Sequence, residues 1–184
     1  MDLHALTDGR VIEVRPIRPD DQARLRASHA RLSPLTRYRR FMTAKPYLSS
    51  TDATYLSVID GCDHYALVAA FTPAGGEEAI IGVARFVRSP EDPRVAEFAI
   101  VIADDWQGQG VGRELLGRLA DAAVTRGVNR FVATMLAENV PIQRLSEQIA
   151  SGPVRRVRQG NTFEVEFALP SRPPAAIIAG CAGS

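Results

Sequence analysis

The chain has 184 residues, 46% of them hydrophobic and 23% charged, with a net charge of +1 and two cysteines, Cys62 and Cys181. These figures fit one soluble globular domain with a real core, and give no global pull toward nucleic acid or an anionic membrane. Two cysteines are too few for a disulfide framework, no apolar run approaches a membrane span of roughly 20 residues, and no signal-peptide pattern is present, so the expected compartment is cytoplasmic.

Residues 7–9, Thr-Asp-Gly, are a turn signal, and 11–14 then read as a first strand. Pro19 and Asp20 open a helix that places Leu25, His29 and Leu32 on one face. Ser33-Pro34 supplies an N-cap and a first-turn proline for a second helix through Tyr38, Phe41 and Met42. A third short helix is expected over 50–59. The stretch 24–45 is distinctly basic, with Arg24, Arg26, Arg31, Arg37, Arg39, Arg40 and Lys45, the chain's one lysine.

Three strands follow, over 65–71, 80–87 and 95–103, joined by turns short enough to favour an antiparallel meander. After Trp106-Gln107-Gly108-Gln109-Gly110-Val111-Gly112-Arg113 comes an amphipathic helix to Arg126, with Leu115, Leu116, Leu119 and Ala123 facing inward. The strand 131–136 is reached through that helix, so it should lie parallel to 95–103. Asn139 caps a last helix whose inner face carries Ile142, Leu145 and Ile149. Residues 154–158 and 162–169 read as a closing hairpin, with Arg156 expected opposite Glu164. The expected organisation is one domain over 1–169 and a flexible tail over 170–184.

The three glycines between the third meander strand and its helix help neither element. Glycine lets the backbone turn sharply and lets a ligand approach its N–H groups. The first N–H groups of a helix have no partner inside it, and the helix dipole adds positive charge there. Strand, glycine loop and helix start together make an anion site, most often for phosphate. A nucleotide P-loop is excluded, because Arg113-Glu114 stands where Lys-Ser/Thr is required. A dinucleotide fold needs repeated βαβ units, and here a meander precedes the one clear crossover. A tight turn holding no ligand stays open on the residues alone.

The order of elements, together with Gln107-x-x-Gly110-x-Gly112, resembles the GNAT superfamily of acyl-CoA-dependent N-acyltransferases over nearly the whole chain. The resemblance implies an α/β (α+β) GNAT fold: a mixed central sheet with an antiparallel N-terminal meander, a parallel crossover pair and helices on both faces. The segments Leu32-Ser33-Pro34-Leu35-Thr36-Arg37-Tyr38-Arg39-Arg40-Phe41, Val95-Ala96-Glu97-Phe98-Ala99 and Asp105-Trp106-Gln107-Gly108-Gln109-Gly110 are similar to the catalytic domains of bacterial Pat-type protein lysine acetyltransferases. Members of that type often carry a fused cyclic-nucleotide or acyl-CoA-synthetase-like domain, and neither is expected within these residues.

The resemblance implies acetyl-CoA as co-substrate, with no metal. Gln107, Gly108, Gln109, Gly110, Val111 and Gly112 would take the pyrophosphate. Arg113 would add charge there, or stand as an ordinary exposed helix residue. The edge of Ile100, Val101 and Ile102 would pair with the pantetheine amides, and Asn139 would touch the pantetheine arm while also serving as a helix cap. The partners implied are acyl-CoA and an acceptor amine, best matched by a lysine of an acyl-CoA synthetase, with no nucleic acid, no membrane and a homodimer left open. Alternatives are a small-molecule amine as acceptor and a non-catalytic acyl-CoA-binding sensor.

Acyl transfer to an amine needs a deprotonated nucleophile, and near pH 7 only about one lysine in a few thousand is neutral. A positioned base therefore matters. Glu97 is the candidate: it lies in an apolar strand, where poor solvation would raise its pKa, and the resemblance places the Pat-type catalytic glutamate there. The bland alternative is an ion pair with Arg85 on the preceding strand. Many GNAT enzymes protonate the leaving thiolate with a tyrosine on the helix after Asn139, but here the matching residue is Ser146. On the acceptor side stand His29, as a groove or a satisfied core histidine, and Arg37 and Arg40, as a docking patch for an acidic surface or a solvated helix face.

Overall fold

The computed structural model describes residues 2–170, so the tail expected from 170 onward lies, but for Pro170, outside the described residues. The described residues form eight strands and five α-helices. The strands are β1 (Leu3–Ala5), β2 (Val11–Pro16), β3 (His64–Phe71), β4 (Ala79–Arg88), β5 (Val95–Ile102), β6 (Arg130–Leu136), β7 (Arg155–Gln159) and β8 (Thr162–Ala168). The helices are α1 (Gln22–Arg31), α2 (Pro34–Phe41), α3 (Ser50–Ser57), α4 (Val111–Thr125) and α5 (Val140–Ile149). The sheet order is β1-β2-β3-β4-β5-β6-β8-β7, antiparallel throughout except for β5 and β6. The expected meander, crossover and closing hairpin are all present. The sequence reading missed β1, which pairs with β2 across the Thr7–Gly9 turn.

Strand alternation decides what each face buries. One face of β3 and β4 presents Ala66, Val68 and Val83 to Leu25 of α1 and Leu56 of α3. The other presents Ala84 and Phe86, with Ala96 and Phe98 of β5, to the buried stripe Leu115, Leu116, Leu119 and Ala123 of α4. Gly82 of β4 permits that approach, because a Cβ there would stand 2.8 Å from Ile102 Cδ1 and 2.9 Å from Leu115 Cδ1.

The parallel ladder is short. It joins Val95, Ala96 and Glu97 of β5 to Arg130, Phe131 and Val132 of β6, and then the strands part. Each strand stays hydrogen-bonded on its other side, β5 to β4 and β6 to β8. Beneath the parting the core remains closed: Phe98 stacks on Phe131 with centroids 5.3 Å apart, and Phe167 meets both edge-on at 5.6 and 6.1 Å. Such ring contacts contribute about 0.5–1.5 kcal/mol each beyond their burial. The sheet thus opens in its backbone without opening its core.

Two expected cross-strand pairs are corrected by the register. Arg156 lies opposite Val165 and reaches Glu147 of α5 instead of Glu164. Arg85 lies opposite Ala99, while Glu97 faces Val87, so the supposed Arg85–Glu97 pair does not form. Cys62 is disulfide-bonded.

Candidate active site

β5 leaves the sheet through a tight turn, Asp104–Trp106, into the glycine loop. Buried Trp106 anchors this turn, with Phe71 4.9 Å away on one side and the Arg10 guanidinium 3.7 Å over its ring. Gln107 folds back, its Nε2 donating to Ile102 O at 3.1 Å, and Gln109 Nε2 donates to Asp105 O at 2.8 Å. Arg10 also donates to Gln109 Oε1.

Gly108 and Gly110 adopt φ of +73° and +92°, where an L side chain is strained. Nothing lies within 4 Å of a Cβ built on either, so the glycines answer to backbone conformation, and the space in front of them is open. The Gln107 N–H donates to Asp104 O. Among the described residues the next backbone N–H with a carbonyl partner is that of Glu114, to Gly110 O at 3.0 Å. The N–H groups of Gly108, Gln109, Gly110, Val111, Gly112 and Arg113 are thus left for a ligand at a helix N-terminus, a cradle suited to phosphate. The Arg113 side chain is exposed beside it.

A clamp holds this loop to the N-terminus of α2. The Asp104 carboxylate accepts from Ser33 N–H at 2.9 Å, from Ser33 Oγ at 2.7 Å and from Thr36 Oγ1 at 2.7 Å. Partial burial alone would raise the pKa of Asp104, but these donors outweigh it and hold the carboxyl below its ordinary range. The sequence reading missed Asp104. Its local signal is only an acid before a turn, and its partners lie about 70 residues away.

The edge of Ile100, Val101 and Ile102 that faces β6 lies past the last paired residue, Glu97, with its backbone groups toward the opening. Asn139 caps α5 by position, but its side chain makes no capping bond, which leaves the amide for another partner. Ser146 is fully buried and donates to Ile142 O at 2.9 Å, so its hydroxyl cannot reach a ligand.

Glu97 stands where β5 and β6 part, and it is exposed. The expected desolvated carboxylate is therefore corrected: alternation turns this residue out of the apolar stretch into a groove of about 220 Å³ with Val132, Thr134 and Glu164. Arg85 on the same face is 5% exposed and donates to His64 Nε2 at 2.9 Å and Leu56 O at 3.1 Å. With no carboxylate partner among the described residues, burial first and the neighbouring Arg40 second push its pKa down to about 9. Burial lowers the pKa of Arg40, and the charge of Glu97 partly offsets it.

The other acceptor-side residues separate. His29 is 3% exposed, with Nε2 2.8 Å from Lys45 O and its ring edge-on to Phe41, so it is the satisfied core histidine of the two readings. Burial lowers its pKa. Arg37 donates to Leu32 O at 2.9 Å and Pro46 O at 2.7 Å, tying down the chain after α2. No group of three or more His, Cys, Asp or Glu side chains suited to a metal occurs among the described residues, and no helix among them is long and apolar enough to cross a membrane.

Comparisons with known proteins converge on one family. The model of the acetyltransferase (GNAT) domain matches residues 12–150. The chain is 33% identical over 148 residues to the acetyltransferase Pat of Mycolicibacterium smegmatis, a match covering 80% of this chain and 43% of that one. It therefore spans less than half the length of that relative. It is 34% identical over 137 residues to the acetyltransferase PA5475 of Pseudomonas aeruginosa, covering 74% and 73% of the two chains. Among solved structures, the GNAT domain of S. lividans PAT superposes with a TM-score of 0.79 at 29% identity, covering 91% of this chain and 96% of that one.

Proposed function

Because the chain belongs to the GNAT family, we propose that it is an N-acetyltransferase that transfers the acetyl group of acetyl-CoA to a lysine side chain of an acyl-CoA synthetase type protein. The observation that carries this reading is the alignment along one strand of a free N–H cradle, an open backbone edge and a carboxylate. The cradle from Gly108 to Arg113 takes the pyrophosphate, the edge of Ile100 to Ile102 takes the pantetheine amides, and the Asn139 amide steadies the arm.

The acceptor amine then meets the thioester carbonyl where β5 and β6 part, beside Glu97. Glu97 takes the proton that the attacking nitrogen must lose. Water reaches this carboxylate in the free protein, and an acceptor seated over it strips that water away. A carboxylate stripped of water holds a proton more tightly, which suits a base. An N–H of the open β5 edge stabilises the oxyanion, commonly a large term in acyl transfer. The similarity to Pat and to the S. lividans PAT domain supports a protein acceptor.

Thiol release from acetyl-CoA, assayed with an acyl-CoA synthetase against a panel of small amines, tests the acceptor. Release only with the synthetase, with the label on a lysine, is expected. Turnover confined to small amines would move the acceptor class, and tight acetyl-CoA binding without turnover on any acceptor would point to a sensor.

A further inference from the structure

The groove at the β5–β6 opening is lined by three carboxylates, Glu97, Glu164 and Glu166, and they differ in what answers their charge. We infer that Glu164 of β8 selects the acceptor by holding a second cation on it, so that the lysine modified has another basic side chain within about four residues in an extended segment; this rests on Glu97 receiving the acceptor amine as proposed above.

Register sets the geometry. Glu97 of β5 lies opposite Val132 of β6, Val132 opposite Glu166 of β8, and Glu166 opposite Arg155 of β7. Residues directly opposite one another share a face, so these four form one row across the sheet. Thr134, Glu164 and Val157 form the next row, two residues farther along β6, level with the part of β5 that has lost β6. Glu97 thus stands on the β5 bank of the opening, and Glu164 stands on the opposite bank, one strand in from β6. Both rows line the same groove of about 220 Å³. Two strand spacings of about 4.8 Å and a two-residue step of about 6.6 Å put the two Cα positions about 12 Å apart, close to the four-residue repeat of about 13 Å in an extended peptide.

The other two acids of the groove have basic neighbours. Glu166 is held on both oxygens, by Arg130 Nη1 at 2.8 Å and Arg155 Nη1 at 3.1 Å. Glu97 has the charge of Arg40 within electrostatic reach. Glu164 is exposed and makes no hydrogen bond or ion pair with any described residue. Its cross-strand neighbours are Thr134 and Val157, neither of them charged. The bank facing the base therefore presents one uncompensated negative charge. An acceptor with a single amine leaves that charge to water, whereas a second cation on the same segment meets it. Exposed charge pairs are individually weak, but the two kinds of acceptor offer Glu97 the same amine, so a small difference between them is enough to set a preference.

The test uses a nonapeptide blocked at both ends, Arg-Gly-Ser-Gly-Lys-Gly-Ser-Gly-Arg, and a twin with citrulline, an uncharged near-isostere, in place of both arginines. In acetyl transfer by the full chain, kcat/KM for the arginine peptide should exceed that for the citrulline peptide about 3- to 5-fold, with the difference lying in KM. The preference should vanish in Glu164→Gln. Glu164→Lys should instead favour a third peptide with glutamate at both ends, a reversal that a merely structural role would not produce. Equal kcat/KM for the arginine and citrulline peptides, or a preference that survives Glu164→Gln, overturns the assignment. Where neither peptide is acetylated, fluorescence anisotropy of labelled peptides on the coenzyme A complex decides. Tighter binding of the arginine peptide, lost in Glu164→Gln, keeps Glu164 as the selecting residue and counts against acetyl transfer to lysine. Binding that is equal for the two peptides, or undetectable for both, removes Glu164.

Discussion

The two sides of the β5–β6 opening are built by different means. The donor side is mostly backbone: six N–H groups of one continuous loop and an unpaired strand edge, set by glycine φ values and by position at a helix start. The acceptor side is made of side chains from separate strands, Glu97 of β5, Thr134 of β6 and Glu164 of β8, which share one groove only because the sheet order brings them together. A backbone site tolerates side-chain change but not a change of conformation, and a side-chain site behaves in the opposite way.

That contrast can be broken by experiment, most forcefully at Glu97. Glu97→Gln should cut kcat about 100-fold or more while the acetyl-CoA dissociation constant stays within about twofold. An equal loss in both would mean that the two sides are not separable. Gly110→Ala tests the donor side from its own direction. An alanine at φ +92° costs about 1–2 kcal/mol. Expressed as binding, that raises KM for acetyl-CoA about 5- to 30-fold with kcat at saturation little changed; a fall in kcat alone would contradict the backbone account.

Asp104→Asn probes the joint between the two sides. The exposed carboxylate loses its charge but keeps an acceptor, so the unfolding free energy from urea titration should fall by about 1 kcal/mol or less. The pH dependence has a definite sign. The folded carboxyl lies below its ordinary value, so its contribution is complete above about pH 4 and is lost as pH falls through the folded pKa. The variant should lack this acid-side loss, seen by comparing midpoints at pH 6 and below pH 4. Smallest is Arg156→Ala. It removes a surface contact to Glu147 and should change stability by less than about 0.5 kcal/mol.

What could be read from the residues follows the same division. The cradle was legible because glycine spacing, an apolar run before it and helical spacing after it are local signals. The buried stripe of α4 and the parallel crossover followed from periodicity and handedness. Register was not legible: one step of pairing decides whether Arg85 meets Glu97 or Ala99, and whether Arg156 meets Glu164 or Val165. Nor was the exposure of Glu97, since an apolar strand looks the same from either face until its neighbours part. β1 escaped notice because its three residues carry too little pattern to stand out. Asp104 depends on contacts across the fold, to Ser33 and Thr36, for which the sequence holds no local mark.

The early parting of β5 from β6 has one more consequence: β5 becomes a ruler. Glu97 sits where the strands separate and Ile102 where β5 ends and the chain turns toward the cradle, five residues apart, a span of about 17 Å at about 3.3 Å per residue. Pairing with β4 from Val87 to Gly82 keeps that interval taut, so it can neither shorten nor stretch. On the proposed reading, a thioester whose reactive carbon lies a few ångströms nearer its phosphates, or farther from them, would fill the same cradle and miss the base. Selection for spacer length would then reside in the strand itself, and inserting two residues into β5 would uncouple binding from turnover where exchanging a side chain would not.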